Sequence, residues 1–377
     1  MIHESVLVVL AAALGVALTT SAVSAADAAA WPGEGWNAKL GKPYEQWKPV
    51  REVLIELAGR AGVTKVTFAV EPKGDFVVPL PAELTIKEAL QKAASIYNLE
   101  TAWEDGGVVI RQAARGSGWA SVLNAESRAV VAGDVRGGVY MPRERKGTGP
   151  VPWVWYAPNG LGPANAWMVK RLLDAGVAVA SVNVGESQGN PAGRAVFTAF
   201  YEKAVKDLGL TRKAVLLPQS RGGLMLYNWA AEHPECVAAV GGIYTVCDLR
   251  SYPGMKKAAE AYGMTEAEFE KVLPEHNPID RLAPLAKAGV PIFHIHGDKD
   301  GTVPVEKNAG ELVKRYKALG GQAELLIIPG GGHEVTARFF QNQEMAEFLV
   351  KQALAAAAAE SGADKKPAGP GGQARRK

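Results

Sequence analysis

The stretch 213-KAVLLPQSRGG-223 decides the fold. Ala214 to Leu217 is a short, wholly apolar run, the pattern of a strand buried on both faces. It passes through Pro218 and Gln219 to Ser220, and a helix is predicted from near Arg221 to around Glu232. Gly222 stands where that helix must pass close to a neighbouring strand, and Gly223 adds room. On the N-terminal side, 151-VPWVWYAP-158 reads as a strand, 163-PANAWMVKRLLDAG-176 as a helix, 177-VAVASVNV-184 as a strand and 195-AVFTAFYEKAVKDLG-209 as a helix. On the C-terminal side come the strand 237-VAAVGGIY-244, an irregular helical excursion at 250–275, the strand 291-PIFHIHG-297, a helix at 306–319, the strand 323-AELLIIP-329 and a last helix near 336–354. Near-continuous apolar strands between amphipathic helices predict an α/β domain over 117–354, with a mostly parallel sheet covered by helices on both faces. Residues 119–140 are expected to supply leading antiparallel strands.

Three segments at the C-terminal ends of predicted strands carry the chemistry. Ser220 is the first. In 296-HGDKDGTVP-304 two aspartates, Asp298 and Asp300, follow an apolar strand; the stretch resembles the acid turn of α/β hydrolases, which implies that the second, Asp300, acts and that Asp298 organises the turn. In 330-GGGHEV-335 the glycines let a loop bring His333 back over the sheet. Ser220, Asp300 and His333 thus stand in the chain order Ser…Asp…His, which suits a nucleophile, its orienting acid and its base. The tetrahedral oxyanion of an acyl transfer would take the backbone N–H of Arg221 and a second one from the loop 158-PNGLG-162, from Gly160 or Leu161. Glu186 and Asp248 both follow strand ends, and either could hold the Arg221 side chain or contact a sugar hydroxyl. Trp153, Trp155, Tyr156 and Trp167 bring aromatic density to the same region; Trp167 is a candidate substrate contact, and core packing explains the strand residues equally well. His294 and His296 read as structural. His233 and His276 fall on a helix end and a loop. No spacing suits a metal, and no cofactor is expected.

These motifs resemble those of α/β hydrolases, in which a serine between strand and helix forms the nucleophile elbow G-x-S-x-G. Pro218 here replaces the first glycine. From about 150 to 353 the chain is similar to secreted bacterial hydrolases of the prolyl-oligopeptidase-like and acetyl-xylan-esterase-like group, on S-R-G-G after a strand, H-G-D-x-D-x-x-V-P and G-x-G-H-E. It also resembles glucuronoyl esterases in the arginine directly after the serine. The resemblance implies a serine hydrolase working through an acyl-enzyme on a carboxylic ester, such as an acetyl or uronoyl ester of a small or polymeric carbohydrate. A serine peptidase of the prolyl-oligopeptidase-like type without its propeller is the alternative, and a non-catalytic envelope binding protein the rival outside enzymes.

Ahead of this domain, residues 49–113 read as a small α+β module. Val53, Leu54, Leu57, Ala58 and Ala61 share one helical face before Gly62, and 64-TKVTFAV-70 reads as a strand. Thr85 and Glu88 form a capping-box signature ahead of the stripe Ile86, Leu90, Ala93, Tyr97. The runs 99-LETAW-103 and 107-GVVIRQ-112 flank Glu104-Asp105-Gly106 as a hairpin. The order, matched over Leu57 to Val70 and Thr85 to Ile110, resembles the short N-terminal domain of secretins and TonB-dependent receptors. That implies contact with an envelope protein; an appendage packed on the large domain is the equal alternative.

The ends and the composition complete the expectations. Val6 to Leu18 is apolar and uncharged, and Val23 and Ala25 are small, so residues 1–25 read as a signal peptide cleaved before Ala26. Residues 26–48 read as a leader or loop, and 355–377 as a disordered tail rich in Ala, Gly, Pro and Lys. The export signal makes the expected location periplasmic or secreted, without stable membrane insertion. Of 377 residues, 47% are hydrophobic and 21% charged, which excludes wholesale disorder. Against 39 acidic residues there are 42 Lys and Arg, part of the excess in the tail, so nucleic acid is no expected partner. Cys236 and Cys247 flank a strand that would hold their Cα atoms roughly 30 Å apart. A disulfide reaches only about 4.4–6.8 Å, so two free thiols are expected.

Overall fold

The computed structural model describes residues 31–44, 48–72, 75–76, 80–113 and 123–363. The expected signal peptide, the first residues of the leader and the tail beyond Ala363 lie outside them.

The small module opens with a strand pair, β1 (Lys48–Pro49) antiparallel to β3 (Asp75–Phe76), around helix α1 (Val50–Arg60) and β2 (Val66–Phe68). Helix α2 (Ile86–Ile96) follows, then the hairpin β4 (Leu99–Glu104) and β5 (Gly107–Gln112), in a sheet of order β2-β5-β4. Thr85 and Glu88 form the expected capping box, each accepting a hydrogen bond from the other's backbone amide. Asp105 and Gly106 turn the hairpin with φ of 48° and 74°, the left-handed pair that a tight two-residue turn requires. The stretch expected as a leader is tied down where it is described: Trp36 and Tyr44 are buried, and Trp36 meets Trp31 and Trp103 edge-on. Large rings that lose their water contact explain this. A glycine- and proline-rich stretch without period hid it.

The large sheet is assembled from β6 (Ala125–Ala132), β7 (Val135–Pro142), β8 (Trp153–Ala157), β9 (Ala178–Ser181), β10 (Ala214–Pro218), β11 (Val237–Ile243), β12 (Ile292–Gly297) and β13 (Ala323–Ile328). From one edge to the other the order is β6-β7-β9-β8-β10-β11-β12-β13. The expected leading strands β6 and β7 are antiparallel, and from β9 to β13 every pairing is parallel. This is an α/β hydrolase fold.

Alternate strand residues divide the core in two. Val154, Tyr156, Val179, Val215 and Leu217 face helices α3 (Ala166–Asp174) and α11 (Gln343–Ala363). Trp153, Trp155, Ala178, Ala180 and Leu216 face α4 (Pro191–Leu208), α5 (Gly222–Glu232), α8 (Ala283–Lys287) and α9 (Ala309–Ala318). The first core is continuous with that of the small module. The excursion forms α6 (Met255–Ala261) and α7 (Glu266–Val272) around a small core of Leu249, Ala258, Phe269 and Leu273. A short helix α10 (Ala337–Phe340) precedes α11.

Two boundaries differ from expectation. Helix α4 begins at Pro191, because Asn190 caps it by accepting from Gly193 N and proline suits the first helical position. Helix α11 runs to Ala363, so residues 355–363 are not part of a disordered tail. Alanine is the strongest helix former, and Glu360 fixes the last turns by accepting from Arg212 N and pairing with its guanidinium.

Trp155 is fully buried and its ring lies 4.9–5.6 Å from those of Trp229, Phe197, Phe200 and Trp153. Trp155→Ala is expected to cost the large domain about 3–5 kcal/mol. Chemical denaturation followed by tryptophan fluorescence checks this; a loss under about 1 kcal/mol would mean that the aromatic cluster is not a supporting core.

Candidate active site

The elbow is built from a strand that stops short. Pro218, the last residue of β10, pairs with Ala157 of β8, and Gln219 N donates to Ala157 O. Ser220 then turns to φ 47°, a left-handed conformation that L residues with a side chain rarely adopt. Two backbone hydrogen bonds hold it there: Ser220 N donates to Ile243 O at 3.0 Å, and Val246 N donates to Ser220 O at 2.9 Å. The glycines that follow are compelled by space. A Cβ on Gly222 would overlap the Ala157 carbonyl, and one on Gly223 the Val246 carbonyl. The strain thereby lifts the Ser220 hydroxyl above the sheet edge. At the position of the missing glycine, Pro218 is accommodated because its carbonyl is all that the turn uses, accepting from Thr245 Oγ1 at 3.3 Å.

The acid and the histidine arrive on two loops that are zipped together. Asp298 accepts from Gly330 N at 2.6 Å, and Lys299 N donates to Gly331 O at 2.8 Å. Gly297 and Gly331 pass so close that a Cβ on Gly297 would overlap the Gly331 carbonyl. The two aspartates take different partners. Asp298 ties the turn, while Asp300 lies 2.7 Å from His333 Nδ1, and His333 Nε2 lies 2.9 Å from Ser220 Oγ. Since a carboxylate accepts, His333 carries its proton on Nδ1, which leaves Nε2 free to take the serine proton. The Tyr244 ring sits 4.5 Å from the imidazole and its hydroxyl accepts from Gln219 Nε2. Gln219 also accepts from Tyr156 OH at 2.5 Å, so the residue before the nucleophile bridges two tyrosines beneath the site.

The Asp300 side chain is fully buried. Burial alone would raise its pKa, but hydrogen bonds from His296, His333 and Val303 N outweigh burial and hold the carboxyl well below the usual carboxylate range. The depressed folded value means that the ionised carboxylate adds stability above its unfolded pKa. That contribution fades as the pH falls toward the folded value. Asp300 therefore stays ionised under all conditions in which an imidazole can act as base.

Around the nucleophile, the Arg221 amide donates to no acceptor among the described residues, and neither do the amides of Gly160 and Leu161. All three expected oxyanion donors are thus uncommitted. The Arg221 guanidinium pairs with Glu186 at 2.8 Å and donates to Asn159 Oδ1 at 3.4 Å. Glu186, the more exposed partner, also accepts from Gln188 at 3.1 Å. Of the two carboxylates weighed for Arg221, Asp248 is committed elsewhere: it accepts from Asn277 Nδ2 and Arg250 N. Trp167, the candidate substrate contact, is turned into the protein. It is 8% exposed within the core, and Arg171 lies 4.5 Å over its ring. Helix α3 turns it inward, a direction that residue type alone did not reveal. Trp153 and Trp155 are core as well. Beside Glu186 a cleft of ≈ 520 Å³ is lined by Asn183, Ser187 and Asn190 among others. His233 shares a hydrogen bond with Thr198, and His276 packs against Tyr262. Cys236 and Cys247 are free thiols. Among the described residues no three side chains of metal-ligating type converge, and no helix is long and apolar enough to cross a membrane.

Residues 198–354 match the prolyl oligopeptidase family, Peptidase S9. No curated protein matches the chain. Among solved structures, a prolyl endopeptidase aligns at 18% identity and TM-score 0.51, over 68% of this chain and 42% of its own. The acylaminoacyl peptidase of Pyrococcus horikoshii aligns at 18% identity and TM-score 0.50, over 67% of this chain and 44% of its own. A truncated carbohydrate esterase from gut microbiota aligns at 20% identity and TM-score 0.47, over 61% of this chain and 96% of its own. The chain therefore spans less than half the length of the two peptidases. At these identities the likeness speaks for the fold. Fold and strand order are those of the α/β hydrolase fold.

Two aspartates two residues apart give a sharp test. Asp300→Asn is expected to lower turnover by about 10⁴-fold, as loss of tautomer control does in the serine-protease triad. Asp298→Asn, which loosens one hydrogen bond between loops, is expected to lose far less. Steady-state kinetics on both folded variants decide it, and the reverse ranking would move the acid's role to Asp298.

Proposed function

We propose that this chain is a serine hydrolase that cleaves carboxylic esters through an acyl-enzyme. The observation that carries this is the continuous relay from Ser220 through His333 to Asp300, at 2.9 and 2.7 Å, on a strained elbow. In the first half-reaction His333 Nε2 takes the Ser220 proton as Oγ attacks the carbonyl carbon. Asp300 stabilises the imidazolium that forms. The Arg221 amide, with Gly160 or Leu161, receives the oxyanion. Collapse expels the alcohol, protonated by His333. Water, activated by the same histidine, then resolves the acyl-enzyme. A binding protein that merely kept the fold would have no use for a serine held at positive φ.

The substrate class proposed is a small ester on a carbohydrate, acetyl or uronoyl, met outside the cytoplasm. Support comes from the polar groups next to Ser220: Arg221, the following residue, pairs with Glu186 and donates to Asn159, and the cleft that Glu186 lines carries Asn183, Ser187 and Asn190 beside Val135, Val184 and Val196. Such groups suit an alcohol rich in hydroxyls. The aromatic strand no longer contributes, since its tryptophans are core. The match of residues 198–354 to a peptidase family favours the second reading, a serine peptidase of the same mechanism. For the small module, a core continuous with the large domain favours packing over an envelope contact.

Two experiments separate these readings. Wild-type protein is expected to label with a fluorophosphonate probe and Ser220→Ala to fold yet not label; resistance of the wild type would count against the relay. On a panel of 4-nitrophenyl acetate and butyrate, acetylated xylan, a glucuronoyl ester and dipeptide anilides, the esters are expected to turn over fastest. Anilide turnover that matches or exceeds the sugar esters would replace the esterase reading with the peptidase one.

A further inference from the structure

Behind the acid lie two wholly buried histidines of β12 that the relay does not use. His294 shares a hydrogen bond with Tyr227 OH at 2.7 Å. His296 is different. Its Nε2 lies 2.7 Å from Val303 O and 3.4 Å from Asp300 Oδ2, and its Nδ1 has no partner among the described residues. A carbonyl only accepts, so the His296 proton sits on Nε2.

The contacts of Asp300 show what that proton does. Oδ1 accepts from Thr302 N at 3.0 Å and Val303 N at 2.7 Å, while Oδ2 accepts from His333 Nδ1. The residue whose amide holds Oδ1 is thus itself held, at its carbonyl, by the His296 ring. The same N–H edge lies 3.4 Å from Oδ2, and both side chains are fully buried. We propose that His296 is a positioning residue for the acid: anchored on the Val303 carbonyl, its Nε2–H keeps the Asp300 carboxylate turned so that Oδ2 meets His333. This rests on the reading of Ser220, His333 and Asp300 as a relay. With the ring replaced by an apolar side chain, the Val303 carbonyl and one face of Oδ2 would be buried with less than their full complement of partners. The loop would then relax, and the imidazole would lose its fixed orientation.

The test uses the full chain and a readout independent of substrate class, the second-order rate at which a fluorophosphonate labels Ser220. His296→Leu is expected to label about 100-fold more slowly, the scale of a misplaced catalytic group. His296→Gln, which returns an N–H at similar reach, is expected to recover most of that rate, a rescue that a purely space-filling role would not produce. Nitrogen-15 NMR of labelled histidines in the wild type is expected to show His296 protonated on Nε2. A folded His296→Leu protein that labels at the wild-type rate would overturn the proposal, as would a His296→Gln variant as slow as the leucine one. If the leucine variant does not fold, an Nδ1–H tautomer of His296 in the wild type overturns it alone. Wild-type protein that never labels would instead refute the relay on which the proposal stands.

Discussion

The left-handed turn at Ser220 is the constraint on which the rest depends. An L residue with a side chain resists that conformation at a cost of order 1–3 kcal/mol, so it persists only where neighbours over-determine it. Here the neighbours are the end of β11, the loop that follows it and a helix: Ile243 accepts from its amide, Val246 donates to its carbonyl, and α5 starts at once. The helix can start there only because Gly222 and Gly223 offer no Cβ to the carbonyls of Ala157 and Val246. Central placement of β10 follows, since the turn needs β8 on one side and β11 on the other. Their helices then cover both faces.

A second constraint brings His333 to Ser220. His333 rides on a loop with few contacts of its own, and the zip to the acid turn through Asp298, Lys299 and the Gly297–Gly331 approach gives it a fixed place. The acid and base loops therefore behave as one unit delivered by the adjacent parallel strands β12 and β13. Asp300 is charged within an enclosed setting because every one of its oxygens meets donors rather than apolar surface.

Much of this was legible in the residues. Apolar runs without alternation announced a covered parallel sheet, and three loops at strand ends announced the site. The capping box at Thr85 and the hairpin at Asp105-Gly106 were equally plain, because each depends on chemistry local to a few residues. What escaped depended on distant packing. Trp167 differs from a binding-site tryptophan only in the direction in which α3 presents it. The alanine run past Leu354 resembled a tail by composition, though alanine is also what a helix prefers. Between Glu186 and Asp248 the sequence offered no choice, since the decision lay with Asn277 and Arg250, which engage Asp248. The role of His296 was hidden because its partner, the Val303 carbonyl, leaves no side-chain signature.

The central claim is that Ser220, oriented by this strain, becomes covalently acylated during turnover. Acid-quenched incubation with 4-nitrophenyl acetate, followed by peptide mapping, tests it most directly. One acetyl group per chain is expected on the peptide bearing Ser220, appearing with a stoichiometric burst of nitrophenolate. Acetylation at another residue during turnover, or undiminished turnover in Ser220→Ala, would contradict it.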